Sequence, residues 1–149
     1  MAKNISERFC QITSSSEWKL AKTIKLNFPT FHPQGMLKIG DFYFLSAVQT
    51  IVKPQKYNSL QNGYYRSTGK GIGHLFTFNE SGDLIAQANL GDSITYHPGG
   101  IDFDGKYIWA PVSEYRPNSR SLIYRIDPAT LNFEQIFPFN DSIGALACD

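Results

Sequence analysis

An all-β protein made of repeated four-stranded antiparallel sheets is the fold this sequence predicts, on three observations. Short apolar runs rich in Val, Ile, Tyr, Phe and Trp are punctuated by Gly, Asn, Asp and Pro. No window carries the i, i+3, i+4, i+7 spacing and the caps of an amphipathic helix. One phrase occurs twice: Phe31-His32-Pro33-Gln34-Gly35-Met36 returns as Tyr96-His97-Pro98-Gly99-Gly100-Ile101, each copy leading into an apolar run opened by Gly40 or Gly105. A unit that recurs at a fixed place in a strand pattern signals stacked modules, each burying its apolar face on the next.

The second unit is the cleaner. Residues 100–104 make one short strand, Asp104-Gly105 supplies a tight hairpin turn, and 107–112 make the return strand. Residues 113–120 form a polar loop and 121–126 a third strand. Asp127-Pro128-Ala129-Thr130 is a turn in which the fixed φ of proline is welcome, and 132–137 are the fourth strand. Such a meander is the blade of a β-propeller. The first unit repeats the scheme: 35–39, the Gly40-Asp41 turn, 42–48, a loop, 73–78, a turn at 79–82, and 84–90. From His97 to Ser142, which opens a partial third copy (Ser142-Ile143-Gly144-Ala145-Leu146), the length matches the roughly 40–45 residues of a blade. The first unit is longer, and its excess lies in 53–71. Within the second unit Tyr107-Ile108-Trp109 reads as core, and Pro111 as a bulge or a strand end.

The flanks complete the expectation. Residues 18–28, with Leu20, Ile24, Leu26 and Phe28 apolar, read as the outer strand of a preceding blade, and 1–16 as a disordered or irregular segment. Residues 17–149 then form a partial β-propeller, with blade repeats near 32–90 and 97–137 and a third beginning at 142. Two complete blades and flanking strands leave the ring incomplete, so the chain reads as part of a longer propeller. Its open blade edges are expected to favour self-association.

Charge and composition narrow the partners. Fourteen Lys and Arg against 13 Asp and Glu leave a net charge of +1, with no basic run to neutralise a row of phosphates. Nucleic acid is therefore not an expected partner. No apolar stretch approaches the roughly 20 residues that span a bilayer, and the N-terminus lacks the apolar centre of a secretory signal. No membrane association is expected, and a cytoplasmic location follows if Met1 is the native start. Cys10 and Cys148 stand at opposite ends, outside any metal or redox spacing. Gly69-Lys70-Gly71 fails as a phosphate loop, since Gly follows the lysine and a strand follows the glycines, which read instead as hinges of the long loop. With no nucleophile elbow or comparable signature, the residues assign no reaction.

Topology nonetheless locates a site. In a four-stranded meander the start of strand one and the loop between strands two and three lie on one rim. His32, His97, 53–71 and 113–120 share it. The candidate ligand-binding set is His32, His97, Glu114, Tyr115 and Arg116, with a small molecule or a protein as the ligand. His32 and His97, at equivalent inner positions, offer imidazoles to a divalent metal or as general bases. Glu114 adds a carboxylate, Tyr115 a stacking ring and Arg116 an anion clamp. Tyr57, Tyr64, Tyr65 and Arg66 in the long loop are residue types enriched in recognition. An architectural reading stands beside this one. The histidine caps the turn by bonding a carbonyl of the next blade, the glycine after it serves packing, and Glu114 with Arg116 is an exposed ion pair worth roughly 0–1 kcal/mol.

The stretch 71–149 carries a resemblance, above all in His97-Pro98-Gly99-Gly100-Ile101-Asp102-Phe103-Asp104-Gly105 and in Ile108-Trp109-Ala110-Pro111-Val112-Ser113-Glu114-Tyr115-Arg116-Pro117-Asn118-Ser119. It resembles an uncharacterised family of propeller-like proteins classed as a domain of unknown function. More loosely, it is similar to the strictosidine synthase and gluconolactonase group of propellers. The first resemblance implies further blades and brings no activity. The second implies, as the alternative to a ligand- or protein-binding propeller, a metal-dependent lactonase- or esterase-like hydrolase. The calcium-dependent lactonases of that group use acidic and amide ligands at the channel mouth, where this sequence has His32, His97 and Ser142.

Overall fold

In the computed structural model, which describes residues 5–116 and 118–148, both repeat units fold as antiparallel meanders. One short helix, α1 (Ile5–Phe9), precedes them, and residues 1–4 of the segment expected to be irregular lie outside the described residues. β1 (His32–Ile39) pairs with β2 (Phe42–Val52) around Gly40, whose φ of +57° suits the tight turn. A two-stranded hairpin of β3 (Lys56–Gln61) and β4 (Tyr64–Arg66) follows. β5 (Lys70–Phe78) and β6 (Leu84–Leu90) then complete a sheet in the order β1-β2-β5-β6. In the second unit the inner strand is broken into β7 (Thr95–Pro98) and β8 (Asp102–Phe103), both paired to β9 (Ile108–Glu114). β10 (Ser121–Ile126) and β11 (Phe133–Phe139) lie outside it. The Asp104 carboxylate accepts the amides of Lys106 and Tyr107, and Asp127 those of Ala129 and Thr130, so both expected turns of the second unit are closed by their own aspartate.

Period-two alternation gives the first sheet two apolar faces. Phe44, Leu75 and Leu90 meet Ile101, Ile108, Ala110, Val112, Tyr124 and Ile126 of the second unit in the main core. Leu45, Ala47, Phe76 and Phe78 occupy the opposite face. The inner strands approach through their repeated small residues. A Cβ on Gly35 would stand 2.8 Å from the Gly100 Cα, and one on Gly100 would stand 2.8 Å from the Ala145 Cβ. Gly100 forms a parallel bridge to Ala145, donating to the Gly144 carbonyl at 2.9 Å and accepting from the Leu146 amide at 3.2 Å. The architectural role expected of the glycine is thus observed, and the three copies of the phrase lie side by side. The described residues form an open arc, with β11 exposed along its whole length at the outer edge.

Three local expectations need correction. Residues 18–28 are not a strand: no ladder pairs them with a described strand, and their polar links to the first sheet run to its 79–83 turn, from the Asn27 amide to the Gly82 carbonyl at 2.9 Å, from Asn27 Nδ2 to Asp83 at 2.8 Å and from Lys22 to Glu80 at 2.9 Å. Their alternation is spent on packing, since Ile24, Leu26 and Phe28 cover the second face of that sheet and Phe28 lies 5.3 Å from Phe76, ring to ring. Residues 53–71 are not a plain loop. Asn62 and Gly63, both at positive φ, make the two-residue turn of the β3–β4 hairpin, and Gly69 and Gly71 are close approaches rather than hinges. A Cβ on Gly71 would lie 2.4 Å from the Tyr96 ring. Pro111 neither ends nor bulges β9. Its carbonyl accepts the Gly99 amide, so its missing N–H faces the same side, where the inner strand is already broken between β7 and β8.

Candidate functional site

The rim site grows from the ends of β7 and β9. His97 is half-buried in β7 between the fully buried Tyr96 and Pro98. Tyr96 anchors the segment, for its hydroxyl donates to the Thr68 carbonyl at 2.5 Å and its ring fills the space left by Gly69 and Gly71. Burial pushes the His97 imidazole below its ordinary value of 6.5, the nearby charge of His32 adds to the effect, and a hydrogen bond with its own backbone opposes it. Its surroundings therefore favour the uncharged ring. Tyr115 stands edge-on to it at 4.6 Å.

Glu114, the last residue of β9, is 5% exposed in its side chain. It accepts from Arg116 Nε at 2.6 Å and has Arg120 Nε at 3.7 Å. Arg120 reaches on to Asp92 at 3.1 Å, whose carboxylate also accepts the amides of Ile94 and Thr95 and so orders the turn before β7. The pair expected to be exposed is thus largely withdrawn from water, where the surviving carboxylate would be costly if its partner were removed. Arg116 also lies 3.4 Å over the Tyr64 ring, while Arg66 lies 5.8 Å over Tyr115. These reciprocal cation–π contacts tie the β3–β4 hairpin of one unit to the 113–120 loop of the next.

Between these elements lies a cavity of about 350 Å³ bordered by Gln34, His97, Glu114, Arg116, Ser142 and Gly144, with Arg66 and Tyr115 on its wall. His97, Glu114, Tyr115 and Arg116 therefore line one cavity. His32 does not line the cavity: it is exposed at the start of β1, its Nδ1 3.2 Å from Gln34 Nε2, and Gln34 takes its place. Each of the three copies of the phrase contributes one polar side chain: Gln34, His97 and Ser142. Neither rim imidazole makes the carbonyl bond to a neighbouring sheet that the capping reading requires among the described residues. Those bonds come from serines: Ser46 to the Gly99 carbonyl at 2.7 Å and Ser113 to the Ile143 carbonyl at 3.0 Å.

A divalent metal was expected on His32 and His97. Among the described residues no three of His, Cys, Asp and Glu come together in a way that would hold an ion. Two imidazoles alone fall short of the three protein ligands of a catalytic zinc and lack the oxygen ligands that calcium takes, so these residues do not fit the group. The third histidine, His74, carries no signal in the sequence because it follows Gly73 inside an ordinary strand. It is buried in β5 on the far face of the first sheet, stacks with Phe31 at 5.0 Å and Phe76 at 5.1 Å, and has Nε2 3.2 Å from Gln49 Oε1. Burial, partly opposed by Asn89, lowers its pKa. Gln34 carried a signal, lying within the repeated phrase itself, and Arg66 lay in the loop marked by its tyrosines.

No helix among the described residues is long and apolar enough to cross a membrane. No curated protein and no solved structure matches the chain. The chain belongs to the family described as Family of unknown function (DUF6454), which it matches over residues 1–149.

Proposed function

We propose that this member of a family without an assigned activity is a ligand-binding module, an arc of propeller blades whose inner rim holds a small polar molecule. The observation that carries the reading is the convergence of Gln34, His97 and Ser142, from three successive repeats, on one cavity with the withdrawn Glu114–Arg116 pair. A structural rim has no need of such a set. The amide, the imidazole and the hydroxyl each donate and accept, which suits a ligand bearing hydroxyl, carbonyl or carboxyl groups, and the Tyr115 ring offers it an apolar face. A hydrolase of lactones or esters finds less support, since the rim lacks a third ligand for a metal on His32 and His97.

The test is a screen of polar small molecules against the ¹⁵N-labelled chain. A ligand of this site moves the amides of Gln34, His97 and Ser142 saturably, and Gln34→Ala with His97→Gln weakens it by about tenfold, one lost hydrogen bond or more. A screen that leaves those three amides unmoved refutes the reading.

A further inference from the structure

Beside the rim cavity the β3–β4 hairpin encloses a second one, of about 460 Å³, lined chiefly by Lys56, Tyr57, Tyr64, Tyr65, Arg66 and Arg116. Its chemistry differs from that of the rim. Three phenol rings and three cations face it, with no carboxylate in the lining. Arg66 and Arg116 line both cavities, so the two meet at a pair of guanidinium groups. Each guanidinium lies over a tyrosine ring, Arg116 over Tyr64 at 3.4 Å and Arg66 over Tyr115 at 5.8 Å, an arrangement that holds the cation beside the cavity while leaving N–H groups to donate to a partner. Arg116 spends Nε on Glu114, and among the described residues no hydrogen bond occupies the guanidinium of Arg66. A pair of forked donors beside three aromatic rings matches a planar anion attached to an aromatic ring.

We propose that the two cavities form one site for a small aromatic carboxylate, its anion held between Arg66 and Arg116 and its ring among Tyr57, Tyr64 and Tyr65. This rests on the rim being a ligand site and names the ligand class. A polyphosphate or nucleic acid fits less well, because the three cations are local and the chain has a net charge of only +1.

The experiment titrates the ¹⁵N-labelled full chain with 2-naphthoate, with its neutral isostere 2-naphthamide, and with acetate. Saturable shifts at the amides of Tyr57, Tyr64, Arg66 and Arg116 are expected for naphthoate, with the amide and acetate each weaker by about tenfold or more, the loss expected for a charge-assisted bond or a stacked ring. Arg66→Gln is expected to weaken naphthoate by a similar factor. Tyr65→Ala, at a position too exposed to threaten folding, is expected to weaken naphthoate and leave acetate unchanged. Equal binding of naphthamide, or unchanged naphthoate binding by Arg66→Gln, overturns the proposal. Shifts confined to Gln34, His97 and Ser142 with any of the three probes retain the rim site and overturn the aromatic lobe. Shifts nowhere overturn the aromatic carboxylate alone, and the wider polar screen then decides the rim.

Discussion

The hydroxyl of Ser46, fully buried in β2, donates at 2.7 Å to the carbonyl of Gly99, 53 positions further on and in the other unit. That bond joins two sheets that share no backbone ladder. Ser46→Ala leaves the buried carbonyl without its donor, a loss of about 1–3 kcal/mol. Urea denaturation is expected to show a lower midpoint at an unchanged slope, and an unchanged midpoint would show that water or a shift of the inner strand replaces the bond.

The glycines of the repeated phrase are expected to be intolerant by packing. A Cβ on Gly35 would meet the Gly100 Cα at 2.8 Å and the Ile101 nitrogen at 2.9 Å, both backbone atoms that cannot turn aside. Gly35→Ala is expected to cost about 2 kcal/mol or more, whereas Gly144→Ala, with nothing within 4 Å, is expected to leave the melting temperature nearly unchanged. Comparable losses in the two variants would refute the account.

The Glu114–Arg116 pair predicts an asymmetric response. Arg116→Met leaves a carboxylate 5% exposed, with Arg120 Nε 3.7 Å away, and is expected to destabilise by roughly 3 kcal/mol. Adding Glu114→Gln removes the stranded charge and is expected to restore part of that loss. A double-mutant cycle measures the coupling, and additive losses would show that the pair is solvated after all.

Stability is expected to fall with acid over a window set by two histidines. Burial holds His74 and His97 below their ordinary value of 6.5, so on lowering the pH the unfolded chain takes up protons before the folded one. A lowered histidine therefore contributes no penalty well above pH 6.5. Below it the penalty grows, and it levels off once the folded-state pKa is passed. Denaturation midpoints measured between pH 7.5 and 5 are expected to decline, and His74→Gln with His97→Gln is expected to flatten the decline. A slope unaltered by the double variant would assign the effect to other groups.

The strands, their antiparallel pairing and the turns at Asp104 and Asp127 are legible in the amino-acid sequence, because apolar alternation and turn chemistry are local properties of the chain. The β3–β4 hairpin has its local signal too, in Asn62-Gly63, although the polar residues around that turn read as a loop. What no local pattern contains is which neighbour each residue meets. Residues 18–28 carry the alternation of a strand, yet whether such a segment pairs or packs depends on what lies beside it. The fold set it against Phe76 and Phe78 with no strand to bond. His32 and His97 look equivalent in the phrase, but tertiary packing lines the cavity with His97 and leaves His32 exposed, with Gln34 in its place. Glu114 and Arg116 read the same whether exposed or buried, and only the packing of the hairpin against the 113–120 loop withdrew them from solvent. Burial, and with it the strength of every charge in the site, belongs to contacts between distant segments.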